Sequence, residues 1–405
     1  MSTSTVVTGL GVAAPNGLGT QDFWTATLNG KSGLGRIRSF TPDSYPARLA
    51  GEIDGFDAKE HLPSRLIPQT DRMTRLALVA ADWALTDSGV VPDEMPAFDM
   101  GVITASSSGG FEFGQNELRK LWNLGSEHVS AYQSFAWFYA VNSGQISIRN
   151  GMKGPSGVMV SDQAGGLDAV AQARRQIRKG TNLVVTGSID ASICPWGWVA
   201  QLASGRLSTA EDAETAYLPF DRRSGGHVPG EGGAILVTES AESARERGAR
   251  TYGEVAGYAA TFDPRPGSGR EPGLRRAMEF ALADAGMTAG DVDVVFADAA
   301  AIPELDRIEA EAINAVFGRE SVPVTAPKTM TGRLYSGAAP LDLATAFLSM
   351  KQGVVPPTVN VNADPGHGLD LVGPEPRTMP VRSAMVVARG HAGFNSVMVV
   401  RSAES

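Results

Sequence analysis

A pattern that occurs twice, almost half the chain apart, constrains the fold of this sequence more than any other feature. The segment TRLALVAADWALTDSGVVPDEMPAFDMGVITASS begins at Thr74, and GLRRAMEFALADAGMTAGDVDVVFADAA begins at Gly273. Each reads as a helix, a D-S/A-G stop, a short turn containing aspartate, and an apolar strand. In the first helix Leu76, Val79, Ala80 and Trp83 fall on one face. In the second, Leu274, Ala277, Met278, Ala281 and Leu282 do so. This is the spacing of a helix with one buried side. Gly89 and Gly286 stand where a helix ends in a left-handed residue. So long a period predicts two similar α/β halves rather than a solenoid. The first opens with a strand at Thr5–Thr8 and the second near Tyr252; we set the halves at residues 1–245 and 246–405. The runs NLVVTGS, GAILVTE and VVFADA are apolar throughout, as central strands covered on both faces are. With 405 residues, 42% of them hydrophobic and 20% charged, the chain has the material for two such cores.

Several short motifs suggest chemistry and do not carry it. Residues 9–14, GLGVAA, fit a dinucleotide fingerprint, but Pro15-Asn16-Gly17 follows where a helix must begin, and no acid stands about 20 residues on. Asn29-Gly30-Lys31-Ser32 resembles the end of a phosphate loop, yet Thr25 occupies the place of its first glycine. The histidines His61, His128, His227, His367 and His391 are not at metal-ligand spacing, and one cysteine cannot build a thiolate site. Cys194 has no neighbouring base to lower its pKa, so it reads as a buried structural thiol. A net charge of −9 argues against nucleic acid or an anionic membrane as partner. There is no bilayer-length apolar run and no basic-then-apolar leader pattern, so the expectation is a soluble, cytoplasmic chain.

Residues 155–180, PSGVMVSDQAGGLDAVAQARRQIRKG, read as an apolar strand, a sharp turn and a helix with Leu167, Val170, Ala171 and Ala173 on its buried face. A side chain at such a turn sits where the helix dipole favours developing negative charge. A cysteine there is an activated nucleophile. The residue present is Gln163, which reads as a hydrogen-bonding residue at the helix start.

At this point the sequence resembles the β-ketoacyl synthases over nearly its whole length. The strand-turn-helix resembles the family's nucleophile motif with Gln163 in place of cysteine and Gly166-Leu167-Asp168-Ala169 kept. PFDRRSGGHVPGEGGAILVTE, residues 219–239, and the C-terminal GHAGFNSVMVV resemble two further family segments. Where the family carries Asn-Ala-His-Gly-Thr this chain has Phe296-Ala297-Asp298-Ala299-Ala300. Its Lys-to-Gly-His stretch becomes Lys328-Thr329-Met330-Thr331-Gly332-Arg333. The Cys-His-His triad is therefore Gln163, Asp298 and Arg333, with Lys328 and Glu309 retained. The strings SDQAGGLDA, PKTMTGRLYSGAAPLD and SFAWFYAVNSGQISIR are similar to the chain length factors, or ketosynthase-beta subunits, of type II aromatic polyketide synthases.

The resemblance implies a thiolase-like fold with two pseudo-symmetric α/β halves in an αβαβα core. It implies a non-catalytic subunit that pairs as a heterodimer with an active ketosynthase and helps to set polyketide chain length. The cofactor expectation is that none is bound directly: malonyl and polyketide groups arrive on the phosphopantetheine arm of an acyl carrier protein, a transient partner. The alternative is a malonyl-acyl carrier protein decarboxylase that makes the acetyl primer. Opposite charges at two converging positions lead to the expectation that Asp298 and Arg333 form a salt bridge in the vacated site; the resemblance, which matches Lys328 and Glu309 to the family's buried Lys and Glu, implies that these two persist as a structural ion pair. By resemblance Phe111, Gly114, Leu118 and Phe135 line the far end of the substrate tunnel. Relatives making shorter chains carry bulkier residues there, so open space beside Gly114 and Leu118 implies a product beyond an octaketide. The aromatic group Tyr132, Phe135, Trp137, Phe138 and Tyr139 reads as interface packing. Arg174, Arg175, Arg178 and Lys179 form a candidate basic patch for the carrier protein.

Overall fold

The computed structural model describes residues 3–265 and 267–403. Ten strands carry the fold: β1 (Thr5–Ala14), β2 (Met100–Ala105), β3 (Ser156–Met159), β4 (Leu183–Asp190), β5 (Gly232–Ser240), β6 (Gly253–Phe262), β7 (Val294–Phe296), β8 (Pro323–Thr325), β9 (Ser383–Arg389) and β10 (Phe394–Arg401). The first five lie in the order β3-β2-β4-β5-β1 and the second five in the order β8-β7-β9-β10-β6, so the two halves share one topology. β2 runs parallel to β3 and β4, as β7 does to β8 and β9. β5 is antiparallel to both neighbours, and so is β10. The two sheets join where β1 pairs with β6 at Val6–Glu254 and Val7–Gly253.

Seven helices position the site: α1 (Arg72–Ser88), α2 (Phe111–Leu124), α3 (Gly165–Ile177), α4 (Pro195–Leu202), α5 (Leu274–Ala285), α6 (Pro303–Phe317) and α7 (Ala338–Gln352). Every residue of α7 from Ala338 to Ser349 is buried, which is the state of a helix that is apolar around most of its circumference. It packs with α3 in the middle layer, while α1 covers β1 and β5 and α5 covers β6 and β10 on the outside. The result is the αβαβα sandwich of the thiolase-like fold.

The repeat has a three-dimensional cause. Asp87 accepts the Leu10 N–H at 2.9 Å, and Asp284 accepts the Tyr258 N–H at 2.9 Å. In each half the aspartate near the helix end thus holds the first strand of its own sheet. Beside those strand residues a side chain is impossible: a Cβ on Gly9 would lie 2.1 Å from the Ala84 oxygen, and one on Gly257 would lie 2.2 Å from the Ala281 oxygen. Gly89 and Gly286 close the two helices at φ 69° and 66°, a conformation that costs glycine little.

GLGVAA lies inside β1, which turns through Pro15-Asn16 into the short strand Gly17–Leu18 without a helix at that point. Cys194 is buried at the start of α4, where its Sγ accepts the Gly197 N–H, and burial pushes its thiol up to about 11. Arg174 corrects the basic-patch expectation. It is buried, and it donates to Asp284 at 2.5 Å and to the Ala256 carbonyl; its charge ties α3 to the second half because Asp284 faces it. Residues 241–246 form a short helix, so the expected divide at 245/246 falls on its last turn. Among the described residues no helix is long and apolar enough to cross a membrane.

Candidate functional site

The site residues sit past the C-terminal ends of the parallel strands, where open α/β sheets leave a crevice. Asp162 and Gln163 follow β3, Asp190 ends β4, Asp298 follows β7, and Arg389 ends β9. The two halves meet here: Asp162 accepts the His391 N–H at 2.8 Å, and Asp190 accepts from the Ser106 and Ser336 hydroxyls at 3.0 and 2.5 Å.

Asp298 and Arg333 form a buried ion pair. One Arg333 Nη donates to both Asp298 carboxylate oxygens at 2.8–2.9 Å and to the Arg389 carbonyl at 3.0 Å; the other donates to the Asp298 carbonyl at 3.0 Å. Asp298 also accepts the Arg389 N–H at 2.8 Å. Burial works against the charge on Arg333, but the Asp298 carboxylate beside it outweighs burial and holds the guanidinium above the usual arginine range. Two buried charges are tolerable only with such complete hydrogen bonding. The pair occupies the two positions at which the resemblance places histidines.

Lys328 does not pair with Glu309. Its Nζ lies 2.7 Å from Asp342 on α7 and donates to the Ala297 carbonyl. Glu309 instead accepts the N–H groups of Asp298 and Ala299 at 2.7 and 2.9 Å. Ala299 has φ 51°, a left-handed turn that costs a non-glycine residue about 1 kcal/mol or more. The turn aims both N–H groups at α6, so Glu309 is a backbone clamp and needs no cation.

This core of buried acids has a pH consequence. Burial pushes Asp306 up to about 6, and burial together with the Asp298 charge raises Glu309. Burial also pushes Asp71 up to about 7 and raises Asp190 and Asp342. An acid whose pKa is higher in the folded chain binds protons more readily there. Its stabilisation is complete below the unfolded pKa and is lost as pH rises through the folded one. His227, which burial lowers well below 6.5, acts oppositely and costs stability as pH falls through that value; the acids outnumber it. We expect the melting temperature to be highest near pH 5 and to fall toward pH 7.5, with Asp306→Asn flattening the decline. A melting temperature that rises steadily over this interval contradicts the assignment. The shift of Asp306 alone is worth on the order of 3 kcal/mol.

Gln163 lies in the turn Asp162–Ala164 that leads into α3, with 2% of its surface exposed. Contrary to the sequence expectation, its side chain makes no hydrogen bond among the described residues, and its Oε1 is buried without a partner. It does not line the cavities beside it. One of about 490 Å³ is lined by Asp298, Arg333, Arg389, His227 and the loop around Arg270. A second, of about 440 Å³, runs from Asp162, Arg333, Tyr335 and His391 to Phe111. Arg333 borders both.

Of the four tunnel candidates, Phe111 borders the second cavity, Phe135 lines a separate one with Phe138 and Ile148, and Leu118 is 38% exposed on α2. The chain alone does not enclose all four in one channel. The space beside Gly114 is not open, which corrects the basis of the product-length expectation: a Cβ there would lie 3.0 Å from the Trp196 ring. Trp196, at the start of α4, also stacks on Phe111 with ring centroids 4.8 Å apart. Sequence reasoning missed it. The available signal was a tryptophan directly after a proline, a residue favoured at the first position of a helix; in the fold its ring is 40% exposed.

Models described as the N-terminal and C-terminal domains of β-ketoacyl synthase match residues 3–244 and 252–362. Over 399 residues the chain is 62% identical to the tetracenomycin polyketide synthase ketoacyl synthase beta subunit of Streptomyces glaucescens, with 98% of each chain covered. Among solved structures it is similar to the ishigamide ketosynthase/chain length factor, at 26% identity and a TM-score of 0.91 with 100% of each chain covered. It is also similar to a chain in the structure of a type II PKS acyl-carrier protein in complex with its ketosynthase bound to the hexaketide, at 26% identity, a TM-score of 0.88 and 100% coverage of each chain.

Proposed function

The chain belongs to the β-ketoacyl synthase family as a ketosynthase beta subunit, or chain length factor, of a type II aromatic polyketide synthase, and from that premise we propose that it performs no condensation of its own. It is the partner of a ketosynthase, and in our reading it acts by shaping the space into which that partner extends the chain. The observation that carries the proposal is the ion pair. Condensation needs a thiolate to hold the acyl group and neutral imidazoles to stabilise an enolate. Gln163 supplies no thiolate, Arg333 cannot release a proton, and Asp298 is an anion locked by Arg333 and the Arg389 N–H.

We assign no cofactor to this subunit. Its substrate within the complex is a malonyl or polyketide group on the phosphopantetheine arm of an acyl carrier protein. The partner's surface is the face around α2, which exposes Trp122, Leu124, Trp137, Phe138 and Ile148; apolar exposure on this scale marks an interaction site. Phe111, Gly114, Leu118, Phe135 and, added from the structure, Trp196 form the gate. The halves 1–245 and 246–405 remain part of the proposal. The test is the mass of the polyketide released by the reconstituted heterodimer. It must follow substitutions at these positions, and a length indifferent to all of them overturns the reading.

A further inference from the structure

We propose that Asp71 is the positioning residue of the gate, a single buried carboxylate that caps two helices and so fixes where α2 stands. The inference rests on the gate reading above and adds a residue that touches neither the channel nor the vacated site.

Asp71 is 2% exposed. It is the N-cap of α1, where one oxygen accepts the Met73 N–H at 2.8 Å. Its other oxygen accepts the Phe113 N–H at 2.8 Å, and Phe113 is the third residue of α2, where a helix leaves an orphan donor. α2 cannot cap itself, because the residue at its N-cap is Gly110. That glycine has a reason: a Cβ on Gly110 would lie 2.4 Å from the Ala136 carbonyl oxygen and 2.8 Å from the Asp71 Cβ. A side-chain cap on α2 is thus excluded by the close approach of the Ala136 carbonyl together with Asp71, the residue that replaces the cap. Farther along α2 the ties are made to side chains: the Trp196 N–H donates to Gln115 at 2.7 Å, and the Ser130 N–H donates to the buried Glu117 at 2.7 Å. Of these ties, the one from Asp71 fixes the backbone at the end that carries Phe111 and Gly114. Movement of that end moves the gate.

The test uses heterodimers reconstituted with the partner ketosynthase and malonyl-loaded acyl carrier protein. Asp71→Ser keeps a good N-cap for α1 but is too short to reach Phe113. It is expected to change the ratio of minor to major product length at least roughly fivefold, equivalent to about 1 kcal/mol for the lost cap. Asp212→Ala removes the cap of the short helix Ala213–Ala216 and is expected to leave product length unchanged. Asp71→Asn, which keeps the shape, supplies the same readout if Asp71→Ser fails to pair. A wild-type length distribution with Asp71→Ser, while Leu118→Trp shifts it, overturns the role of Asp71 and leaves the gate intact. No shift with either variant overturns both. Loss of pairing by both Asp71 variants makes the residue structural and also overturns the inference.

Discussion

Arg333→Leu is expected to lower the folding stability of this subunit by about 3–5 kcal/mol, although the proposed function gives the residue no catalytic part. The substitution leaves the Asp298 carboxylate buried with the Arg389 N–H and no cation, and it frees the two carbonyls that Arg333 now satisfies. Asp298→Leu should cost a similar amount by stranding the guanidinium. The double variant with Asp298→Leu and Arg333→Met should cost clearly less than the sum of the two singles, since removing both charges removes the penalty that either alone creates. Chemical denaturation with a double-mutant cycle measures this. Single variants that lose less than about 1 kcal/mol would mean that the pair behaves as a solvated surface pair and not as a buried one.

The second large effect concerns product length. Leu118→Trp should shorten the polyketide, and Trp196→Ala should lengthen it, in heterodimers that retain normal turnover of malonyl groups. Extension and release compete at each step, and about 1.4 kcal/mol changes their ratio tenfold. In the gate reading Leu118 faces a channel that only the heterodimer closes, and extra volume there costs a lengthening chain roughly 1–3 kcal/mol, enough to change the dominant product. Trp196→Ala acts oppositely by removing the ring that stacks on Phe111 and covers Gly114. Gly114→Phe is a poorer probe, because its side chain must first displace Trp196. Mass spectrometry of the released chains decides; identical masses from both variants and the wild type refute the gate.

The parts of this molecule that were legible in the sequence are those written in local pattern or in charge. Asp87 and Asp284 could be found because each sits in a helix-stop motif, and the motif repeats because each aspartate holds a strand backbone. Asp298 and Arg333 could be paired because opposite charges replaced two residues expected to converge. Two of the errors lie in which partner a charge finds; the unpartnered Gln163 and the Trp196 ring beside Gly114 come from packing that no local pattern records. Lys328 had two buried acids in reach of argument, and only the packing of α7 selects Asp342 over Glu309. Arg174 lies in a basic run and gave no sign that Asp284 would bury it. The Asp71–Phe113 contact joins residues with nothing in common but their place in the fold.

The central claim is that this subunit supplies shape and no reacting group. The most direct test is a heterodimer with Gln163→Ala in this chain, assayed beside the unmodified chain alone, both with malonyl-loaded acyl carrier protein. The account predicts that the Gln163→Ala heterodimer makes polyketide of unchanged length at an unchanged rate, and that the isolated chain yields neither polyketide nor acetyl carrier protein. Acetyl carrier protein formed by the isolated chain, or loss of priming with Gln163→Ala, would contradict it and make this subunit a malonyl decarboxylase that acts through Gln163.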